Sequence, residues 1–362
     1  MAEYYYILPT MGNLTPSQHA AVDEPNPIAL SGGPGTGKSF VSLWRHINRH
    51  NQTNPIRSQL LTFTTSLAHY LQVGSASQNE SAAQYVDSIQ DWYYNHKGDR
   101  EEIIVDEAQD MPLAFYEDNK QLRKYSNKIS YGADDKQILK PSAIKPDGSF
   151  NLTACSPENE LRNIFNNRRF TLDKNFRNTK SIMEFANVAF REANIPRNEI
   201  DSCRAPGDKP TLYITNGDIE KQNQKIIQNI ELLNDDEYNI GILTPFANPP
   251  KDNADYLTAR YYFNFLKDRF DCSYYDWKMH LGVGLTQMKN VHITPFKSAK
   301  GLEFDTVIIP CFDAYLQSFN VISWRDFFVG ITRAKSNLFL FSSKDITITN
   351  PHLNSVINKQ FL

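Results

Sequence analysis

Two tandem α/β domains with parallel sheets are what this sequence predicts, and three observations predict them. Short apolar runs bounded by Gly, Pro, Asn and Asp alternate with longer stretches of helical spacing, the rhythm of strands joined by crossover helices. The rhythm continues through 362 residues, room for two ordinary domains that can each bury a core. Hydrophobic residues make up 40% and charged residues 22%, with mean hydropathy -0.51, a globular balance that excludes disordered and collagen-like chains.

In the first half the apolar runs place strands at Pro27 to Leu30, Leu60 to Thr64, Glu102 to Val105 and Lys128 to Tyr131, with helices from Gly37 and near Ser81. In the second half strands are expected near Thr211 to Ile214, Ile240 to Thr244, Val291 to Thr294, Thr306 to Pro310 and Leu338 to Phe341. Helical spacing separates them at Thr179 to Glu192, Ile219 to Leu233 and Trp324 to Ala334. The Asn-rich stretch Ser156 to Arg169 ends the first pattern, so the domains are read as 1–170 and 171–362. Val73 to Ser81 and Pro249 to Asn253 read as loops.

Composition narrows function. With 38 Lys+Arg against 41 Asp+Glu the net charge is -3, so contact with a polyanion must be local. Cys155, Cys203, Cys272 and Cys311 lack CxxC spacing, which argues against a disulfide framework or zinc site and for reduced packing residues. The eight histidines show no paired metal spacing. No apolar run approaches the ~20 residues of a spanning helix, so no membrane association and a cytoplasmic location are expected.

The chemistry begins at Gly32-Gly33-Pro34-Gly35-Thr36-Gly37-Lys38-Ser39, a GxxxxGK[ST] run that leaves one apolar strand and enters one helix. Glycines let backbone N–H groups face phosphate oxygens, and the helix adds the positive end of its dipole. Lys38 would reach the β- and γ-phosphates and Ser39 would ligate Mg²⁺, so ATP and Mg²⁺ are the implied cofactors. Ile103-Ile104-Val105-Asp106-Glu107 delivers two acids at a strand end. Asp106 belongs beside that metal, and Glu107 is placed to orient or deprotonate water for attack on the γ-phosphate.

Asp106-Glu107-Ala108-Gln109-Asp110 resembles the DEAQD box of superfamily 1 helicases of the UvrD/Rep type, and further boxes follow that family's order. Leu14 to Gln18 looks like the Q motif, which implies that Gln18 reads adenine. Leu61 to Thr65 resembles motif Ia and Ser88 to Trp92 loosely resembles Ib, which implies that Thr62, Phe63, Thr64, Ser88 and Trp92 face a single strand. Tyr131 to Gln137 is similar to motif III, with Gln137 sensing the γ-phosphate. Asn175-Phe176-Arg177 looks like the NYR element, its ring on the base and Arg177 on the γ-phosphate. Lys297 to Asp305 matches motif V, where Glu303 would hold the ribose while Thr294 and Lys297 meet the strand. Val329 to Ala334 is similar to motif VI, with Arg333 as arginine finger.

The resemblance implies two RecA-like P-loop NTPase domains, hydrolysis of ATP between them, and a translocase or helicase on single-stranded DNA, with RNA left open. It departs from the large members: only Ser66 to Glu101 separates motif Ia from the DEAQD strand, Ile138 to Ser142 after Gln137 offers no aromatic ring, and Lys297 stands where a histidine is usual. A stripped motor core is expected. The rival reading is a regulatory ATPase subunit that senses nucleic acid and controls a partner such as a nuclease. Trp92-Tyr93-Tyr94 and the Tyr261, Tyr262, Phe263, Tyr274, Tyr275, Trp277 cluster are read mainly as core, with base stacking as the alternative.

Overall fold

The computed structural model describes residues 4, 8–117, 121–145, 149–233, 235–248, 257–275, 288–317 and 322–362. The chain forms two compact units, Tyr6–Lys174 and Asn175–Leu362, and Tyr4 belongs with the second.

Among the described residues, the first unit holds one parallel sheet built from β1 (Ile28–Ser31), β2 (Ser58–Thr62), β3 (Val86–Ser88), β4 (Glu102–Val105), β5 (Ile129–Ala133) and β6 (Arg168–Thr171). The order is β3-β2-β4-β5-β1-β6. Every residue of β1 to β5 is buried, as a parallel sheet covered on both faces requires. Leu61, Ile103, Val105, Tyr131 and Ala133 form its core with Trp92, Phe115, Tyr116 and Leu161. Each fully buried Val, Leu, Ile or Phe side chain there contributes about 1.5–3 kcal/mol of transfer free energy.

Three helices set up the site. In α1 (Pro16–Asp23) Thr15 and Gln18 form a reciprocal capping box. Next, α2 (Lys38–His50) follows the glycine loop, and its Arg45 and Arg49 bind the buried Glu102 of β4, with N–O distances of 2.8 Å. The hydroxyl of Ser130 donates to the same carboxylate at 2.6 Å. Finally, α3 (Thr65–Ala76) is capped by Thr64, whose hydroxyl accepts from Leu67 N–H.

Local differences from the sequence reading have physical causes. The second strand ends at Thr62, because Thr64 leaves the sheet to cap α3. Val73 to Ala76 are helical, since buried Leu67, Tyr70 and Leu71 carry α3 past its Gly and Ser residues. A four-residue helix, Glu80–Ala83, follows. Phe170, the last residue of the first domain as read from sequence, lies inside β6, paired with Leu30. This edge strand buries Phe170 alone, so no apolar run announces it.

The second unit holds a parallel sheet of β7 (Thr211–Ile214), β8 (Ile240–Thr244), β9 (Cys272–Tyr274), β10 (Val291–Pro295), β11 (Phe304–Ile309), β12 (Ala334–Ser342) and β13 (Asn358–Phe361). Their order is β13-β7-β12-β11-β8-β10-β9. Helices Lys180–Ala189, Ile219–Leu233 and Trp324–Ile331 fall close to the periodic segments. The aromatic cluster is core: Tyr262 is fully buried and accepts from Gln222, while Phe263 stacks on Tyr274 at 4.4 Å. Trp277 and Pro249 to Asn253 lie outside the described residues. Among the described residues no helix is long and apolar enough to cross a membrane.

Candidate functional site

Strand order decides what gathers at the carboxyl edge of the first sheet. The central strand β5 runs between β4 and β1, so the acids ending β4 and the glycine loop leaving β1 both flank it. Its Gly132 pairs with Leu30 and carries no side chain. A Cβ there would lie 3.3 Å from Asp106 Oδ1 and 3.8 Å from Lys38 Cβ. Gly132 therefore leaves room between the DEAQD aspartate and the stem of the loop lysine.

Lys38 is buried, and its ammonium donates to Gly32 O at 2.6 Å and Gly33 O at 3.1 Å, with Asp134 Oδ2 at 3.6 Å. Gly37 takes φ +87°, a left-handed conformation that favours glycine, and starts α2. Gln18 closes the loop from behind: its Nε2 donates to Thr36 O at 3.1 Å while its Oε1 accepts from Thr15 N–H. In this structure the Gln18 amide secures the glycine loop. Ser39 is half-buried in the first turn of α2.

Glu107 has φ +59°, unusual for a side chain of its size, and the strained turn stands at the end of β4. Gln109 Nε2 donates to Glu107 Oε2 at 2.5 Å, and Gln109 Oε1 accepts from Asp134 N–H at 3.2 Å. Gln137 Nε2 donates to Asp134 Oδ2 at 2.7 Å. Gln109 and Asp134 thus tie Lys38, Glu107 and Gln137 into one buried network. Sequence reasoning named neither as functional, because the links that join the group, Gln109 to Asp134 and Asp134 to Lys38, run between residues distant along the chain. Glu158, also missed, has its pKa raised to about 7, chiefly by burial, with Asp134 and Asp135 adding and Lys38 opposing.

A second group forms in the other unit. The Asn175 carboxamide oxygen accepts from the N–H groups of Arg177 and Asn178, a turn that presents the Arg177 side chain. The Arg177 guanidinium binds Glu303 Oε1, Nη2 at 2.6 Å and Nε at 2.7 Å, and donates to Thr332 O at 3.3 Å. Burial alone would raise the Glu303 pKa, but Arg177, with Lys335 and Arg333, holds it below the ordinary carboxylate value. Arg333 is buried and donates to Val329 O at 3.1 Å. Phe176 is exposed beside this group.

The residues assigned to the strand divide. Phe63 is exposed, with the Lys140 ammonium 5.4 Å from its ring centre. Lys297 is half-buried. Trp92 corrects the expectation: it is fully buried and meets Tyr125 edge to face, because the core needs its area, so its ring does not face a strand. Ser88 is also buried, its hydroxyl capping Asp91 N–H. The Thr64 hydroxyl is taken by its own capping bond, and Thr62 and Thr294 are fully buried in strands.

The fold is thus that of tandem RecA-like α/β domains, the first with a glycine loop, a lysine and two acids at its sheet edge. Residues 279–345 match the UvrD-like helicase C-terminal domain family. That stretch contains Lys297 to Asp305 and Val329 to Ala334, the boxes that resemble motifs V and VI of UvrD/Rep-type superfamily 1 helicases. A search of curated proteins gives no match. Among solved structures, the PRRSV helicase is similar at 14% identity and TM-score 0.42; the alignment covers 90% of this chain, which spans about half (54%) of that protein. The C-terminal domain of a possible DNA helicase from Lactobacillus plantarum WCFS1 is similar at 17% identity and TM-score 0.36, over 51% of this chain and 98% of that one. At such TM-scores neither likeness adds to what the chain's own sheets show.

Proposed function

We propose that the protein is an ATP-dependent single-strand nucleic-acid translocase or short-range helicase, with DNA the expected strand. The observation that supports this reading is the gap at Gly132, flanked by Asp106 and the stem of Lys38 at the edge of a parallel sheet. Lys38 neutralises β- and γ-phosphate charge, and the glycine loop supplies backbone N–H groups.

The donor set fits Mg²⁺: the Asp106 carboxylate and the Ser39 hydroxyl are hard oxygen ligands, and the side chain missing at Gly132 leaves room beside Asp106. Bound there, the ion would draw charge from the phosphate oxygens. Glu107, oriented by Gln109, accepts a proton from the attacking water, and Gln137 sits in the same network to register the γ-phosphate. Arg177 and Arg333 belong to the other unit, so this reading requires them to act on a nucleotide that the first unit holds. Loss of the γ-phosphate would end that grip and give a cycle able to move along a strand.

The test is the ATPase rate with and without single-stranded DNA or RNA, run beside a strand-displacement assay. Stimulation with displacement supports the motor. Stimulation without displacement favours a regulatory ATPase that controls a partner, and no turnover with any strand overturns the proposal.

A further inference from the structure

Tyr4 is 299 residues from Glu303 along the chain, yet it is anchored on motif V by its ring and its hydroxyl, and on Met288 by its backbone. Its backbone N–H donates to Met288 O at 2.7 Å. Its ring meets Phe304 edge to face, with centroids 5.8 Å apart. Its hydroxyl donates to the carbonyl of Glu303 and accepts from the N–H of the same residue at 3.1 Å. One hydroxyl thereby satisfies both backbone groups of Glu303, a use that exhausts its single proton and engages a lone pair. Burial raises the pKa of this hydroxyl, so it stays protonated and able to donate.

The same Glu303 holds Arg177 through its side chain at 2.6 Å, and Arg177 reaches on to Thr332 O, the residue before Arg333. A carboxylate that must exchange an arginine for a ligand hydroxyl needs a backbone that stays still while its side chain changes partner. Mispositioning by about 1 Å is enough to cost large factors in rate or affinity.

We infer that Tyr4 is a positioning residue that fixes the Glu303 backbone, so that the Glu303 carboxylate is presented to the ribose of the nucleotide when Arg177 leaves it. This rests on the proposed reading of Glu303 and Arg177 as nucleotide contacts. Tyr4 touches no phosphate chemistry in that scheme; its effect is on nucleotide affinity and on recognition of the sugar.

The test is Tyr4→Phe, which removes both hydroxyl bonds and keeps the ring on Phe304. Steady-state ATPase is measured with ATP and with 2′-deoxy-ATP, alongside thermal melting and a Lys38→Ala control. The expected result is a rise in KM for ATP of about five-fold with kcat within about two-fold, and a smaller preference for ATP over 2′-deoxy-ATP. KM and the sugar preference do not depend on the fraction of protein folded, so they separate positioning from stability. An unchanged KM and preference overturns the inference, and so does a lower melting temperature with both values unchanged, which would leave Tyr4 a packing residue. A wild-type protein without ATP turnover, or a Lys38→Ala variant at the wild-type rate, overturns the reading of the site itself, and the inference with it.

Discussion

Asp134 stands 3.6 Å from the Lys38 ammonium, and the same carboxylate oxygen accepts from Gln137 at 2.7 Å. Without nucleotide, Asp134 is the counter-charge of a buried lysine, the place that a phosphate would take. Asp134→Asn leaves that ammonium poorly compensated, and the ligand-free protein should lose about 2 kcal/mol of stability. Saturating ATP with Mg²⁺ should restore most of the loss, so thermal melts should show a larger nucleotide shift in the variant than in the parent. Equal shifts would remove Asp134 from the phosphate site.

Lys38→Ala should abolish ATP turnover. Glu107→Gln should keep nucleotide binding and lower kcat by at least about 100-fold, the usual scale for loss of a general base. Nucleotide binding followed by fluorescence, beside phosphate release, separates the two; normal turnover by Glu107→Gln would remove the water-activating role.

Glu158 gives stability a pH dependence. Its folded-state pKa, about 7, lies above the ordinary 4.5, so the unfolded chain ionises first and the stability present at low pH is lost as pH rises from about 4.5 through 7. Glu158→Gln should match the parent near pH 5 and exceed it near pH 8 by about 1–2 kcal/mol, after allowing for partial solvent access. Urea melts at the two pH values check this, and equal differences at both would contradict it.

Glu102 compensates two buried guanidiniums, Arg45 and Arg49. Glu102→Ala should destabilise the first unit by about 3–5 kcal/mol, because it strands both charges away from water. A loss under about 1 kcal/mol in denaturant melts would show that water reaches the pair.

Phe63→Ala should weaken single-strand binding by about 1–3 kcal/mol, the worth of one stacked base, while leaving strand-free ATPase unchanged. Binding by the parent should fall as salt rises, since phosphate contacts dominate nonspecific affinity. Anisotropy titrations at two salt concentrations test both, and salt-independent binding would argue against a strand groove.

How much was legible depended on whether the signal was local. Ile103-Ile104-Val105 and Ile240 to Thr244 read directly as strands because a parallel strand buried on both faces must be apolar along its length. The edge strand β6 was invisible because only Phe170 is buried, and α3 overran a stretch whose Gly and Ser content reads as loop. Trp92 reads as core with a base platform as the alternative, and only its complete burial separates the two. Gln109 and Asp134 are not marked as functional by the sequence, since the bond between them and the pairing of Asp134 with Lys38 join residues far apart along the chain.

By itself the sequence determined the two-sheet α/β architecture and the ordered boxes, because strand burial and a glycine-rich turn are written in consecutive residues. Only the tertiary structure decided that Gly132 opens the space between Lys38 and Asp106, that Asp134 joins Lys38 to Gln137, and that Tyr4 grips Glu303. Those relations arise from the order in which strands are laid side by side, and hydrogen bonds between strand ends act over a few ångströms in space whatever their separation along the chain.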